Sequence, residues 1–291
     1  MKTGILLLFL SGFLFSQSMV FTGKPELVAP DTISTDKTEV KLTFSPDGKL
    51  LLWGAIRWEN GMGGFDIWQA DKNNGRMGNL RPVAFNSDSN DFDPCFSPDG
   101  KTVYFFSNRS GGFGGDDFYS VTFNPVSGKF GEPENMGEKF NSKGDEWGPV
   151  VSADGKKFIF CSDGFGGKGK HDIFLSEKVN KSWSDPVNVE AINSDKDDFD
   201  PVILHDNKTI IFSKEINDNE VLLFVSFLSD TGYTKPVQLG PEINNPGTWN
   251  FGSTIDNSDY RYLYYCSHNP ANTKGRIDIY RIAYKIDKSG L

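Results

Sequence analysis

Cysteine is scarce in this chain of 291 residues, which has three: Cys95, Cys161 and Cys266. So sparse and odd a set cannot build the disulfide framework of a small exported domain, and size and close packing must hold the fold instead. Histidine is as rare, and His171, His205 and His268 are spread far apart, which argues against a histidine-based zinc site. Neither His-Glu-x-x-His nor Gly-x-Ser-x-Gly occurs. No linker rich in proline, glycine and serine interrupts the chain, so its length reads as one unit rather than two. Positive charge is in deficit, with 30 Lys and Arg against 39 Asp and Glu and a net charge of −9, which disfavours nucleic acid and anionic membrane surfaces as partners. Long apolar runs are missing beyond Ile5–Phe15. That run is too short to span a bilayer and is followed by Ser16-Gln17-Ser18, so residues 1–18 read as a signal peptide cleaved near Ser18. No cysteine lies nearby for a lipoprotein anchor.

What is present is a repeat. Ser45-Pro46-Asp47-Gly48-Lys49, Ser97-Pro98-Asp99-Gly100-Lys101 and Ser152-Ala153-Asp154-Gly155-Lys156 are followed by weaker copies at His205-Asp206-Asn207-Lys208 and Asn257-Ser258-Asp259-Tyr260-Arg261. Their aspartates are 52, 55, 52 and 53 residues apart. Asp-Gly between two β-rich runs is a hairpin signal, because glycine supplies the positive φ of the tight turn. A glycine-rich connection and a third run follow, as in Gly111-Gly112-Phe113-Gly114-Gly115-Asp116-Asp117-Phe118-Tyr119. A fourth run begins at proline near Pro82, Pro133, Pro186 and Pro236, as suits an edge strand, where a missing N–H is harmless. Four antiparallel strands per copy make a propeller blade. The chain is therefore expected to be all-β, a single five-bladed β-propeller over residues 19–291, with blades at about 38–88, 89–142, 143–194, 195–245 and 246–287. The fifth copy lacks a fourth strand. The segment 24–34, which resembles the fourth-strand segment 132–142, is expected to complete the last blade and close the ring.

These motifs, with Ser107-Asn108-Arg109 and Asp117-Phe118-Tyr119, resemble the WD-repeat-like propeller repeats of the TolB type, from about Gly23 to Asp287. The resemblance implies an exported bacterial propeller, periplasmic or secreted. TolB itself has six blades and an added N-terminal domain, so its role is not implied.

Residues opening each first strand converge on one mouth of a propeller channel. Aligned copies place Glu39, Asp91, Glu146, Asp198 and Asn250 at one position, Val40, Phe92, Trp147, Phe199 and Phe251 next, then Lys41, Asp93, Gly148, Asp200 and Gly252. One reading is a polar-ligand site built from Asp91, Phe92, Asp93, Glu146, Trp147, Asp198, Phe199 and Asp200, with Trp249 as a symmetry-breaking addition and Ca²⁺ as the cation such an oxygen-rich mouth would take. The other reading makes the carboxylates strand-end caps and the aromatics packing between blades, which repetition favours. Asp66, Asp117, Asp172 and Asp278 read likewise as turn aspartates. Gly164-Phe165-Gly166-Gly167-Lys168-Gly169 has the letters of a dinucleotide fingerprint but joins two strands rather than opening a helix. Cys161 and Cys266 fall at equivalent positions two blades apart, too far to bond. The expectation is a monomeric, non-catalytic interaction module of the envelope that binds a protein. The alternative is a glycan-binding or cation-dependent glycosidase-like propeller using Asp93, Glu146 and Asp200.

Overall fold

The computed structural model describes residues 17–268 and 273–287. The segment up to residue 16, expected from the sequence to be a signal peptide, and Asn269-Pro270 lie outside them. Every regular element described is a strand, and no described helix is long and apolar enough to cross a membrane. Each copy folds into an antiparallel meander whose first strand is the most buried: Glu39–Phe44, Asp91–Phe96, Glu146–Val151, Asp198–Ile203 and Trp249–Asp256. These five strands lie against one another in sequence order, and Trp249–Asp256 also meets Glu39–Phe44. The hairpins turn at Gly48, Gly100 and Gly155, with φ of 67°, 67° and 71°, and Asn207 takes the same left-handed conformation at 56° in the fourth copy.

Outer edges are shorter than the sequence pattern suggests. The first copy has a full fourth strand, Arg76–Pro82, whereas the next three have pairs: Glu134–Asn135, Val187–Asn188 and Val237–Gln238. Each pair directly follows a proline, which cannot donate to the ladder and so delays pairing. In the last copy Glu26–Leu27 pairs with Arg281 and Tyr280, the same register in which Glu134–Asn135 pairs with Ser120 and Tyr119. A further strand, Ser18–Phe21, pairs with Asp287 to Tyr284, so Ser18, expected at the cleavage site, is already in a strand.

Between sheets the core is aromatic and aliphatic. Phe158, fully buried, has Phe118, Phe140, Phe160, Tyr104 and Trp183 around it at 5.0–5.8 Å between ring centroids. A repeated polar clamp fixes each third strand. Asn86, Asn141, Asn193 and Asn244 each accept the backbone N–H of Ile67, Phe118, Ile173 and Leu223 and donate to the carbonyl of the same residue. In the last copy the hydroxyl of Ser34 donates to the carbonyl of Ile279 instead. A side-chain amide mimics a strand partner where the edge is too short to supply one. The glycine-rich loops close over this frame because Gly114 has no side chain: a Cβ there would sit 2.1 Å from the carbonyl oxygen of Gly144 in the following copy.

Candidate functional site

The first-position carboxylates are buried caps rather than a solvated rim. Glu39, Asp91, Glu146, Asp198 and Asn250 are all 0% exposed. Four residues upstream of each carboxylate, Thr35, Ser87, Ser142 and Ser194 donate both backbone N–H and hydroxyl to it. Asn250 instead donates to the hydroxyl of Thr248 and accepts from Ser267. The second donors differ between copies: Trp58 on Glu39, Arg109 on Asp91, Ser162 on Glu146 and Lys214 on Asp198. Asp66, Asp117, Asp172 and Asp278 each accept N–H groups from the loop that precedes them. Leu222 stands in their place in the fourth copy, where the loop is replaced by a hairpin extending Thr209–Asn217 and Glu220–Ser229.

This capping has a pH consequence. Burial pushes the Glu39 carboxyl up to about 7 from 4.5, against the donors that favour its charged form. Burial likewise raises Asp116, Glu146, Asp198 and Asp278. A carboxyl that holds its proton in the folded state up to pH 7 but releases it near 4.5 when unfolded stabilises the fold fully below 4.5, and that contribution is lost as pH rises through 7. For Glu39 the loss is on the order of 3 kcal/mol. Thermal unfolding should therefore occur at lower temperature at pH 8 than at pH 5, and Glu39→Gln should flatten the dependence. A midpoint that rises from pH 5 to 8 would contradict this.

The third position is where the copies diverge. Each first strand carries a bulge immediately after the second aligned position, seen as register breaks between Val40 and Thr43, Phe92 and Cys95, Trp147 and Val150, Phe199 and Val202, and Phe251 and Thr254. The bulged residue is left-handed in all five, with φ of 44° at Lys41, 48° at Asp93, 63° at Gly148, 49° at Asp200 and 61° at Gly252. Glycine adopts this conformation without strain, whereas lysine and aspartate are held in it at a cost of order 1 kcal/mol or more. Three charged side chains thus gather where a repeat alone would call for glycine. The Lys41 ammonium lies 3.5 Å from Asp200 Oδ1, and the backbone N–H of Gly252 donates to Asp200 Oδ2 at 2.9 Å. Asp93 bonds to Asp200 through its side chain, and Lys41, Asp93 and Asp200 are 2%, 8% and 6% exposed. Burial, then the charge of Asp200, drives the Asp93 carboxyl well above the usual range, with Lys41 offsetting part. Burial works against the Lys41 ammonium, yet Asp200 and Asp93 raise it. Two carboxyls crowded in a buried site disfavour each other's charge, and the Lys41 ammonium offsets part of that repulsion.

Above this floor opens a cavity of about 290 Å³, lined by Phe65, Phe92, Phe106, Trp147, Phe199 and Phe251, with Asp93, Asp116 and Asp200 as its acidic groups. Phe92 stacks on Phe106 at 5.0 Å, and Phe106 faces Trp147 at 6.5 Å. Trp147 Nε1–H donates to Asp116 at 2.8 Å. Of the residues singled out from sequence, Phe92, Asp93, Trp147, Phe199 and Asp200 meet here. Asp91, Glu146 and Asp198 are sealed beneath neighbouring loops, and Trp249 borders a separate depression with Asp218, His268 and Arg276. Sequence reading missed Lys41 as the counter-charge, and also Phe65, Phe106 and Asp116. Lys41 stood in the alignment opposite two aspartates and two glycines, a mixture that marks a left-handed position. Cys95, Cys161 and Cys266 are free and buried, and Cys266 Sγ accepts the N–H of Lys41.

No family model and no curated protein matches the chain. Solved structures do. A putative TolB from Agrobacterium tumefaciens matches with a TM-score of 0.52 at 14% identity, over 87% of this chain and 91% of that one. An α-L-arabinofuranosidase from Lactobacillus brevis matches at 0.55 and 16% identity, over 86% and 92%. TolB from Acinetobacter baumannii matches at 0.48 and 16% over 87% of this chain, which spans 56% of its length. Identities this low speak of fold alone, and the fold is that of a β-propeller.

Proposed function

We propose that this chain is an exported five-bladed propeller whose ring the N-terminal segment completes, and that it acts as a non-catalytic protein-interaction module of the bacterial envelope. Its aromatic cup receives an apolar or aromatic side chain of a partner protein. The observation that carries this reading is that every acidic group facing the cup is already engaged: Asp116 by Trp147, Asp200 by Lys41 and Gly252, and Asp93 by Asp200. A sugar would need free polar partners for its hydroxyls, whereas an apolar anchor needs the aromatic wall. Glycosidase carboxylates stand about 5–5.5 or 6.5–9.5 Å apart with the sugar or water between them, whereas here Lys41 and the N–H of Gly252 already occupy Asp200. The Ca²⁺ expected at this mouth would have to displace Lys41 from Asp200, and it belongs with the glycan reading.

The test is capture from envelope extract by the purified protein, followed by titration of the captured partner against Phe199→Ala and Phe251→Ala. Each should weaken binding by roughly 30-fold, equivalent to about 2 kcal/mol, while circular dichroism stays unchanged. Equal binding by both variants would sink the cup as the docking point. Glycoside turnover lost in Asp93→Asn would overturn the non-catalytic reading in favour of the alternative.

A further inference from the structure

Beside the cup, Asp145, Asp163 and His171 bring one ligand atom each to within 4.8 Å of one another. They come from three loops of the third copy: Asp145 lies just before Glu146–Val151, Asp163 just after Lys157–Ser162, and His171 just before Asp172–Val179. We propose that these three residues bind a divalent transition ion of the Zn²⁺ type, with water completing a four-coordinate shell.

The histidine carries the argument. His171 is 6% exposed and its ring is stacked on Trp147 at 3.7 Å. Its Nδ1 lies 2.9 Å from Asp197 Oδ1, which also accepts the backbone N–H of His171. A carboxylate at Nδ1 fixes the tautomer with its proton there and leaves a lone pair on Nε2. That Nε2 is buried and has no hydrogen-bond partner. The Asp145 and Asp163 carboxylates beside the ring are acceptors too, so a cation, and not a hydrogen bond, is what can join an acceptor nitrogen to these oxygens. Both carboxylates are held by one oxygen each: Asp145 Oδ1 accepts the N–H of Asp116 at 2.8 Å, and Asp163 Oδ1 accepts the N–H of Asp145 at 2.8 Å. Their second oxygens remain for an ion. Among the described residues, no lysine or arginine forms a salt bridge with Asp145 or Asp163, and the nearby Lys170 is paired with Glu215. Carboxylates therefore outnumber the cationic side chains around His171.

Imidazole with carboxylates selects the zinc class over Ca²⁺, which takes six or more oxygens. Ligands at about 2.0–2.1 Å from a tetrahedral ion lie roughly 3.3 Å apart, so the three atoms must draw together modestly. The loops that carry them would be cross-linked, and the ion would brace Trp147 through the stacked ring. This site stands whether or not the cup binds a protein.

The experiment uses the purified protein after chelator dialysis, titrated calorimetrically with Zn²⁺ and, in parallel, with Ca²⁺, and loaded with Co²⁺ for visible spectroscopy. One equivalent of Zn²⁺ should bind, with a four-coordinate Co²⁺ spectrum and a raised unfolding temperature. Asp163→Asn, at an exposed position, and His171→Gln should each weaken binding at least about 100-fold, and Asp197→Asn by about 10–100-fold through the ring's orientation. No stoichiometric Zn²⁺, Zn²⁺ retained undiminished in Asp163→Asn, or Ca²⁺ bound as tightly as Zn²⁺ would each overturn the assignment.

Discussion

Lys41→Met should destabilise the protein by about 3–5 kcal/mol, because removing one partner of a buried pair strands the other charge. The side chain is 2% exposed and its ammonium is the cation 3.5 Å from Asp200. Methionine keeps the bulk and suffers the same left-handed backbone, so packing and strain change little and charge is isolated as the cause. Adding Asp200→Asn should recover much of the loss, since the pair is then removed rather than broken, and asparagine tolerates the φ of 49° at that bulge. Urea unfolding of the two single variants and the double variant gives the coupling energy directly. If the double variant is as unstable as the sum of the singles, the pair is not what holds these three strands at the channel.

Asn141→Leu should cost a similar amount, about 3–5 kcal/mol, for a different reason. Asn141 is 2% exposed, accepts the N–H of Phe118 at 2.7 Å, and donates to the carbonyl of Phe118 at 3.1 Å and to Asn135 at 2.8 Å. Leucine has nearly the same shape but would leave two backbone groups buried and unpaired, each at about 1–3 kcal/mol. Asn141→Asp, which keeps the acceptor and loses the donor, should fall between. Chemical denaturation of the three proteins checks the order. A leucine variant within about 1 kcal/mol of the parent would mean that water reaches this edge and that the clamp is dispensable.

Both predictions concern residues whose importance the sequence showed only faintly. Asn141 belongs to a series with Asn86 and Asn193, each followed by serine and, five residues on, by Glu146, Asp91 and Asp198. The carboxylates of that series stand out by their charge, whereas the asparagine and serine do their work on backbone groups of strands that sequence distance does not reveal. Lys41 aligns with Asp93 and Asp200 but cannot be joined to Asp200, 159 residues away, without the packing that brings first strands together. Histidine scarcity argued against a zinc site on composition. His171 instead meets two aspartates from other loops of its own copy, a set that counting histidines cannot find.

The period, the all-β character and the hairpins at Asp-Gly were legible in the sequence, because each depends on local backbone chemistry repeated in every copy, whereas capping was one of two readings of the recurrent carboxylates. Tertiary structure alone decided which charges face one another. The bulge turns the third residue of each first strand out of the alternation that sequence patterning assumes, so Lys41, Asp93 and Asp200 converge while Asp91, Glu146 and Asp198 are sealed under loops. A repeat specifies equivalent positions, and only packing specifies what those positions confront.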